Sequence, residues 1–179
     1  MLDELFETTW QELQDGCHKR KHPFKYCTFA TLKNASEVKQ RTVVFRTIMD
    51  NCLWFYTDYR SNKVYEIKEH NQVSVLFYHP KKLHQITVSG TIHLHTEGAD
   101  VKKKWNGIQQ TSKKDYTTAN PPGTPISNPD QVEYGDEHYF TIMELHPTKI
   151  EYLRLKRPNH IRALFELKDG NWEKQFLVP

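Results

Sequence analysis

Two arginines stand five residues apart in Gln40-Arg41-Thr42-Val43-Val44-Phe45-Arg46, and one hairpin later come Thr57, Arg60, Ser61 and Lys63. Cations and hydroxyls crowded where a strand hands over to a helix make a nest for an anion, because backbone N–H groups and charged donors then converge on one phosphate. Residues five apart on a strand face opposite sides, so one of Arg41 and Arg46 can serve that phosphate while the other faces a partner or substrate. Alone, the two arginines read equally well as solvent-facing side chains. The second cluster of donors favours the anion site. Gln85, beside Thr87 on the polar face of a later strand, can hydrogen-bond the edge of a pyrimidine ring.

Other chemistry is less well supported. His93 and His95 share a strand face, with His79 and His84 near in sequence, and imidazole is a good zinc ligand. No helical H-x-x-x-H, no C-x-x-C and no placed carboxylate accompanies them, so no metal is expected. No G-x-S-x-G, Walker loop or G-x-G-x-x-G is present, and seven glycines leave little room for one. Trp54, Trp105 and Trp172 fall at core-facing positions and read as packing rather than as base-stacking platforms.

These groups need a scaffold. Leu2, Leu5, Phe6, Trp10 and Leu13 recur at helical spacing and predict an amphipathic helix over residues 3–17. Short β-rich runs follow at 26–32, 39–49, 53–57, 73–78 and 85–96, and then at 139–155, 160–167 and 172–177. The 139–155 run reads as a strand at 139–145 with 149–155 extending it. Asp50-Asn51 and Asp169-Gly170-Asn171 are turn chemistry, and Gly90 within a strand predicts a bend. Residues 60–70 and 97–108 return to helical spacing, with Ser61 placed to cap the first. Residues 110–136, rich in proline, form the one long irregular segment. The pattern is α+β, mainly β: a barrel with a few peripheral helices in a single domain spanning residues 1–179.

A chain of 179 residues can bury a sizeable core. Mean hydropathy of −0.78 and 26% charged residues predict a soluble protein without a membrane span. The acidic, amphipathic Met1-Leu2-Asp3-Glu4-Leu5-Phe6 does not read as a secretory signal. Cys17, Cys27 and Cys52 read as reduced thiols of a cytoplasmic protein. A net charge of +3 is too mild for a nucleic-acid footprint and suits a phosphorylated small ligand.

The motifs together resemble the pyridoxine/pyridoxamine 5′-phosphate oxidase family of FMN-binding split barrels. Its Arg-x-Val-Leu-x-Lys is similar to Arg41-Thr42-Val43-Val44-Phe45-Arg46. Its Phe-Tyr-Thr and Ser-Arg-Lys are similar to Phe55-Tyr56-Thr57 and Ser61-Asn62-Lys63. Its Arg-Gln-Val-x-Val-x-Gly is similar to His84-Gln85-Ile86-Thr87-Val88-Ser89-Gly90. Arg157-Pro158-Asn159, Trp172 and the closing Leu177-Val178-Pro179 resemble the end of the oxidases, so the likeness runs from about residue 25 onward. Pro121-Pro122-Gly123-Thr124-Pro125 is more similar to an oxidase-related branch found in cyanobacteria and other bacteria.

The resemblance implies FMN as cofactor, a homodimer with flavin at the interface, and oxidoreductase chemistry. Arg41, Lys63 and Ser61 would hold the flavin phosphate, within motifs that also contain Thr42 and Asn62. Val43, Val44, Tyr56 and Thr57 would line the ribityl chain and ring, and Gln85 would reach the ring from the same or the partner subunit. Asn62 replaces the family's arginine, with Arg60 two residues earlier to compensate. Arg46 replaces the lysine that approaches the substrate, and His160-Ile161-Arg162 reverses the family's Arg-x-His pair. Arg46, His160 and Arg162 would therefore face an anionic substrate, on the side where the pattern is less well kept. No general base is named. A non-catalytic flavin-binding or flavin-sensing protein is the second reading.

Overall fold

Polar turn residues punctuate the chain where it must reverse, and the strands between them pair in antiparallel fashion throughout. The computed structural model describes residues 1–179. It contains strands β1 (Tyr26–Lys33), β2 (Glu37–Met49), β3 (Cys52–Asp58), β4 (Gln72–His79), β5 (His84–His95), β6 (Phe140–Arg154), β7 (Ile161–Lys168) and β8 (Asn171–Leu177). Helices α1 (Leu2–His18), α2 (Asn62–Glu69), α3 (Ala99–Asn106) and α4 (Gln110–Lys113) lie between them. The strand order is β3-β2-β1-β4-β5-β6-β7-β8, and β3 also pairs with β6. That extra pairing closes six strands into a barrel and leaves β7 and β8 as an extension. Closure removes the exposed edges that an open sheet of these strands would present.

The turns explain the register. Asp50 and Asn51 have φ of 50° and 61°, and Asp169 and Gly170 have 47° and 80°. Two consecutive positive-φ residues make the tight hairpin turn whose twist matches the flanking strands. Gly90 has a different role. A Cβ there would stand 2.0 Å from the His146 carbonyl oxygen and 3.0 Å from Pro147 Cα, so β6 crosses against bare backbone. The register slips at that point, where Ser89 pairs with Lys149 and Gly90 with Pro147, leaving Thr148 as a bulge.

Inside the barrel, Phe29, Phe45, Phe55, Phe77 and Phe165 are fully buried. The expected stripe of α1 closes over them: Leu13 is fully buried, and Leu2, Leu5, Phe6 and Trp10 pack on the same cluster. The Phe6 ring lies 5.0 Å from Phe165 and 5.4 Å from Trp172. A second apolar cluster sits outside the barrel wall, where Val101 joins Cys52, Trp54, Tyr116, Phe140 and Ile142. The three expected tryptophans are thus packing residues, with Trp54 buried and Trp105 and Trp172 partly so.

The strand expected at 139–145, with 149–155 extending it, is continuous over Phe140–Arg154, pairing with β3 in its first half and with β7 in its second. One expectation needs correction. Residues 110–136 are not wholly irregular: α4, two 3-10 turns and a bridge between Thr118 and Tyr134 give the segment shape. No helix is long and apolar enough to cross a membrane.

Candidate functional site

Residue parity along β2 separates the two arginines as the sequence predicts. Phe45 points into the barrel, and Arg41, four residues earlier, lies on the same side near the end that α2 covers. Its guanidinium donates to Glu66 Oε2 at 2.7 Å, to the Lys39 carbonyl at 3.2 Å and to the Thr31 hydroxyl. At the junction of β3 and α2, Lys63 Nζ donates to Thr57 Oγ1 at 2.9 Å and to Ser61 Oγ at 3.1 Å. Thr57 and Ser61 are buried, and their hydroxyl oxygens lie 3.3 Å apart. Ser61 occupies the N-cap position of α2 without its hydroxyl bonding the helix backbone, so the hydroxyl is committed to this junction.

Lys63 is the outstanding group. It forms no ion pair with any carboxylate, and burial pulls its ammonium below the usual lysine range, with the Arg41 charge adding to the effect. This half-buried ammonium has two hydroxyls as its only direct partners, with the Asp58 and Glu66 carboxylates acting on it from further off, and it keeps capacity for a ligand anion. A cavity of about 490 Å³ is lined among others by Lys39, Arg41, Asn62, Tyr65 and Glu66, and not by Thr57, Ser61 or Lys63. Arg41, Thr57, Ser61 and Lys63 thus gather at the α2 end of the barrel as a donor set suited to an anion. Asn62 is exposed on this cavity.

Arg60 does not join them. Its guanidinium donates to Asp58 at 2.7 and 3.1 Å and to the Thr118 and Ala119 carbonyls at 2.8 and 3.2 Å. It also lies 3.2 Å from the centre of the Tyr139 ring. These bonds tie the 116–120 segment to the barrel, so Arg60 is not the substitute for Asn62 that its position in the sequence suggests.

On the outer face of the same strands, Arg46 sits in the β2 irregularity between Phe45 and Thr47. It lies 5.3 Å from the Tyr56 ring centre, and its one hydrogen bond is a long one, 3.4 Å, to the Tyr116 hydroxyl. Its Nε is buried without a partner. Burial pushes the Tyr56 and Tyr116 phenols up, partly offset by the Arg46 charge, so both stay protonated donors. Thr42 is exposed and Val43 and Val44 are half-buried along the same strand, open to a ligand laid beside it.

The remaining predicted residues lie elsewhere. Gln85 is half-buried on β5, paired across to Leu153, which in turn faces Arg162. Arg162 is bound to Glu151 at 2.9 and 3.2 Å, and His160 Nδ1 accepts from the Lys156 amide at 3.1 Å. Neither joins Arg46 within one chain. Sequence reading missed Thr31, Glu66 and Tyr116. Glu66 had a signal, standing one helical turn after Lys63; Tyr116, inside the proline-rich segment, had none. All three cysteines are free and buried.

The family model described as the pyridoxamine 5′-phosphate oxidase FMN-binding domain matches residues 7–96, half of the chain. A pyridoxine/pyridoxamine 5′-phosphate oxidase of Deinococcus deserti is 26% identical over 106 residues, 59% of this chain and 49% of that protein. The chain thus spans about half the length of that relative. Among solved structures, an oxidase-related FMN-binding protein of Nostoc punctiforme superposes with a TM-score of 0.81 at 21% identity, covering 97% of each chain. PhzG of Burkholderia lata, solved with tetrahydrophenazine-1-carboxylic acid, gives 0.79 at 20% identity over 99% of this chain and 92% of its own. With a closed six-stranded barrel and the family match over residues 7–96 in agreement, the chain belongs to the pyridoxamine 5′-phosphate oxidase family of FMN-binding domains.

Proposed function

We propose that the chain is an FMN-dependent oxidoreductase whose substrate is a small anionic molecule, working as a homodimer with flavin between the two copies. The observation that carries the reading is the buried Arg46 Nε, a charged donor with no partner, flanked by the hydroxyl donors of Tyr56 and Tyr116. An uncompensated cation costs stability unless a ligand anion answers it. It lies outside the barrel wall, on the opposite side of β2 from the phosphate cradle. Bound FMN would supply the redox chemistry, and the protein binds, orients and shields it.

The placement of Gln85 supports a dimer. Two strands, β1 and β4, separate β5 from β2, which is about 14 Å of sheet. A glutamine reaching a ring beside Val44 is therefore better supplied by a second copy. The outward face of those strands suits such contact: Thr28, Ala30, Ser74, Leu76, Thr87 and Ser89 are small or uncharged, and Tyr26 and Tyr78 are exposed. Three buried reduced thiols fit a cytoplasmic setting.

One observation favours the second reading, a flavin-binding protein without turnover: Arg162 and His160 are already engaged by Glu151 and Lys156. Anaerobic titration of the flavin-loaded protein with NADH, NADPH and pyridoxamine phosphate distinguishes the two. Bleaching of the flavin followed by multiple turnovers in air supports the enzyme, and Arg46→Met should then raise KM tenfold or more while leaving flavin bound. A flavin that none of these reduces would leave the binding protein as the better account.

A further inference from the structure

The histidines that lacked a carboxylate in the sequence acquire one in the fold. Strand β6 runs between β3 and β5, and residues paired straight across share a face of the sheet. Glu144 pairs with Trp54 on one side and His93 on the other, and His146 pairs with Thr91. Cys52, two residues before Trp54, therefore lies on that outer face too. Cys52 Sγ stands 3.4 Å from His146 Nδ1, and His146 Nε2 stands 3.4 Å from Glu144 Oε2. One ligand atom from each of Cys52, Glu144 and His146 falls within 4.8 Å of the others.

We propose that Cys52, Glu144 and His146 bind a zinc-class divalent cation on the outer wall of the barrel, with a fourth position open to water. Thiolate, imidazole and carboxylate are the zinc donor set, and tetrahedral zinc with bonds of about 2.0–2.3 Å brings ligand atoms to roughly 3.3–3.7 Å of one another. A single ion uses one nitrogen of His146: through Nδ1 the 3.4 Å separation from Cys52 Sγ already matches, and the three ligand atoms lie within 4.8 Å of one another. His95 supplies the outer support that such sites use, with Nε2 2.6 Å from Glu144 Oε2 and its ring stacked on Trp54. The His93 ring lies against that of His146, tilted by 39° with centres 4.2 Å apart.

Zinc takes its cysteine ligand as the thiolate, so binding here would release the thiol proton. The ion would pin the β2–β3 turn, where Cys52 begins its strand, to the middle of β6.

The test uses full-length, flavin-loaded protein, stripped with chelator, equilibrated with zinc sulfate, desalted and analysed for zinc per chain. One zinc per chain is expected, with a thermal midpoint raised by added zinc. Cys52→Ser and His146→Gln should each weaken zinc binding a hundredfold or more and abolish the zinc-dependent rise in midpoint. Both should retain flavin, since the phosphate cradle is built from other residues. His160→Gln, on an exposed histidine, should bind as the unaltered protein does. Zinc well below one per chain would overturn the proposal, as would equal affinity in both ligand variants, which would assign the metal to surface histidines.

Discussion

Arg41 is bonded to Glu66 at 2.7 Å, and the carboxylate side chain is only 8% exposed. The proposed phosphate cradle therefore carries its own anion, which screens Arg41 before any ligand arrives. Glu66→Gln keeps the shape and one acceptor but removes the charge. Without its counter-ion, Arg41 should destabilise the flavin-free protein by on the order of 1–3 kcal/mol. With a dianionic phosphate bound, the lost repulsion should tighten FMN by roughly tenfold. The flavin-dependent rise in thermal midpoint should then exceed that of the unaltered protein. A smaller rise would mean that Glu66 aims Arg41 at the phosphate more than it opposes it.

Lys63 should behave differently, since its partners are hydroxyls rather than a carboxylate. Lys63→Met retains the stem and removes the half-buried charge. Stability of the flavin-free protein should hold or rise slightly, because an uncompensated cation leaves a poorly solvated place. FMN affinity should fall by a hundredfold or more, about 3 kcal/mol, as a charge-assisted bond is lost. The visible absorbance of desalted protein reads the loss directly. Full flavin retention would show that the phosphate lies elsewhere.

The barrel was legible in the chain because its signals are local: alternation gave the strands, and Asp50-Asn51 and Asp169-Gly170 gave the hairpins. The gathering of Thr57, Ser61 and Lys63 was legible for the same reason, as they sit within one strand-to-helix junction. What escaped depends on pairing between distant strands. Nothing near His93 and His95 in sequence points to Glu144, yet β6 places it directly opposite His93. Arg60 misled because proximity in sequence does not fix side-chain direction, and Asp58 two residues earlier captured it.

Gly90 tests the β5–β6 crossing. Because a Cβ would meet the His146 carbonyl at 2.0 Å, Gly90→Ala forces two backbones apart rather than moving a flexible side chain. The cost should be about 3 kcal/mol or more. His146 lies on the displaced segment, so zinc binding should weaken along with stability. Urea unfolding and zinc titration of the same variant measure both effects.

His84 makes stability depend on acidity. The imidazole is 3% exposed, beside the Phe24 and Tyr152 rings, with Glu12, His22, His79, Lys82 and Arg154 around it. Burial lowers it to about 4, while Glu12 pulls the other way. Below about 6.5 the unfolded chain takes up a proton that the folded chain refuses, so stability falls as pH drops from 6.5 toward 4. At about 1.4 kcal/mol per unit the loss reaches on the order of 3 kcal/mol by pH 4. His22, also lowered chiefly by burial, adds to the same window. Glu12 resists longer: burial pushes it up, but Lys82, His84 and His22 outweigh that and hold it below the ordinary carboxyl range. Its contribution is present above about 4.5 and is lost only in stronger acid. Urea unfolding at pH 7, 5.5 and 4.5 should trace the decline. His84→Gln should flatten it in that window without abolishing it, and an unchanged slope would move the acid sensitivity of α1 docking to His22.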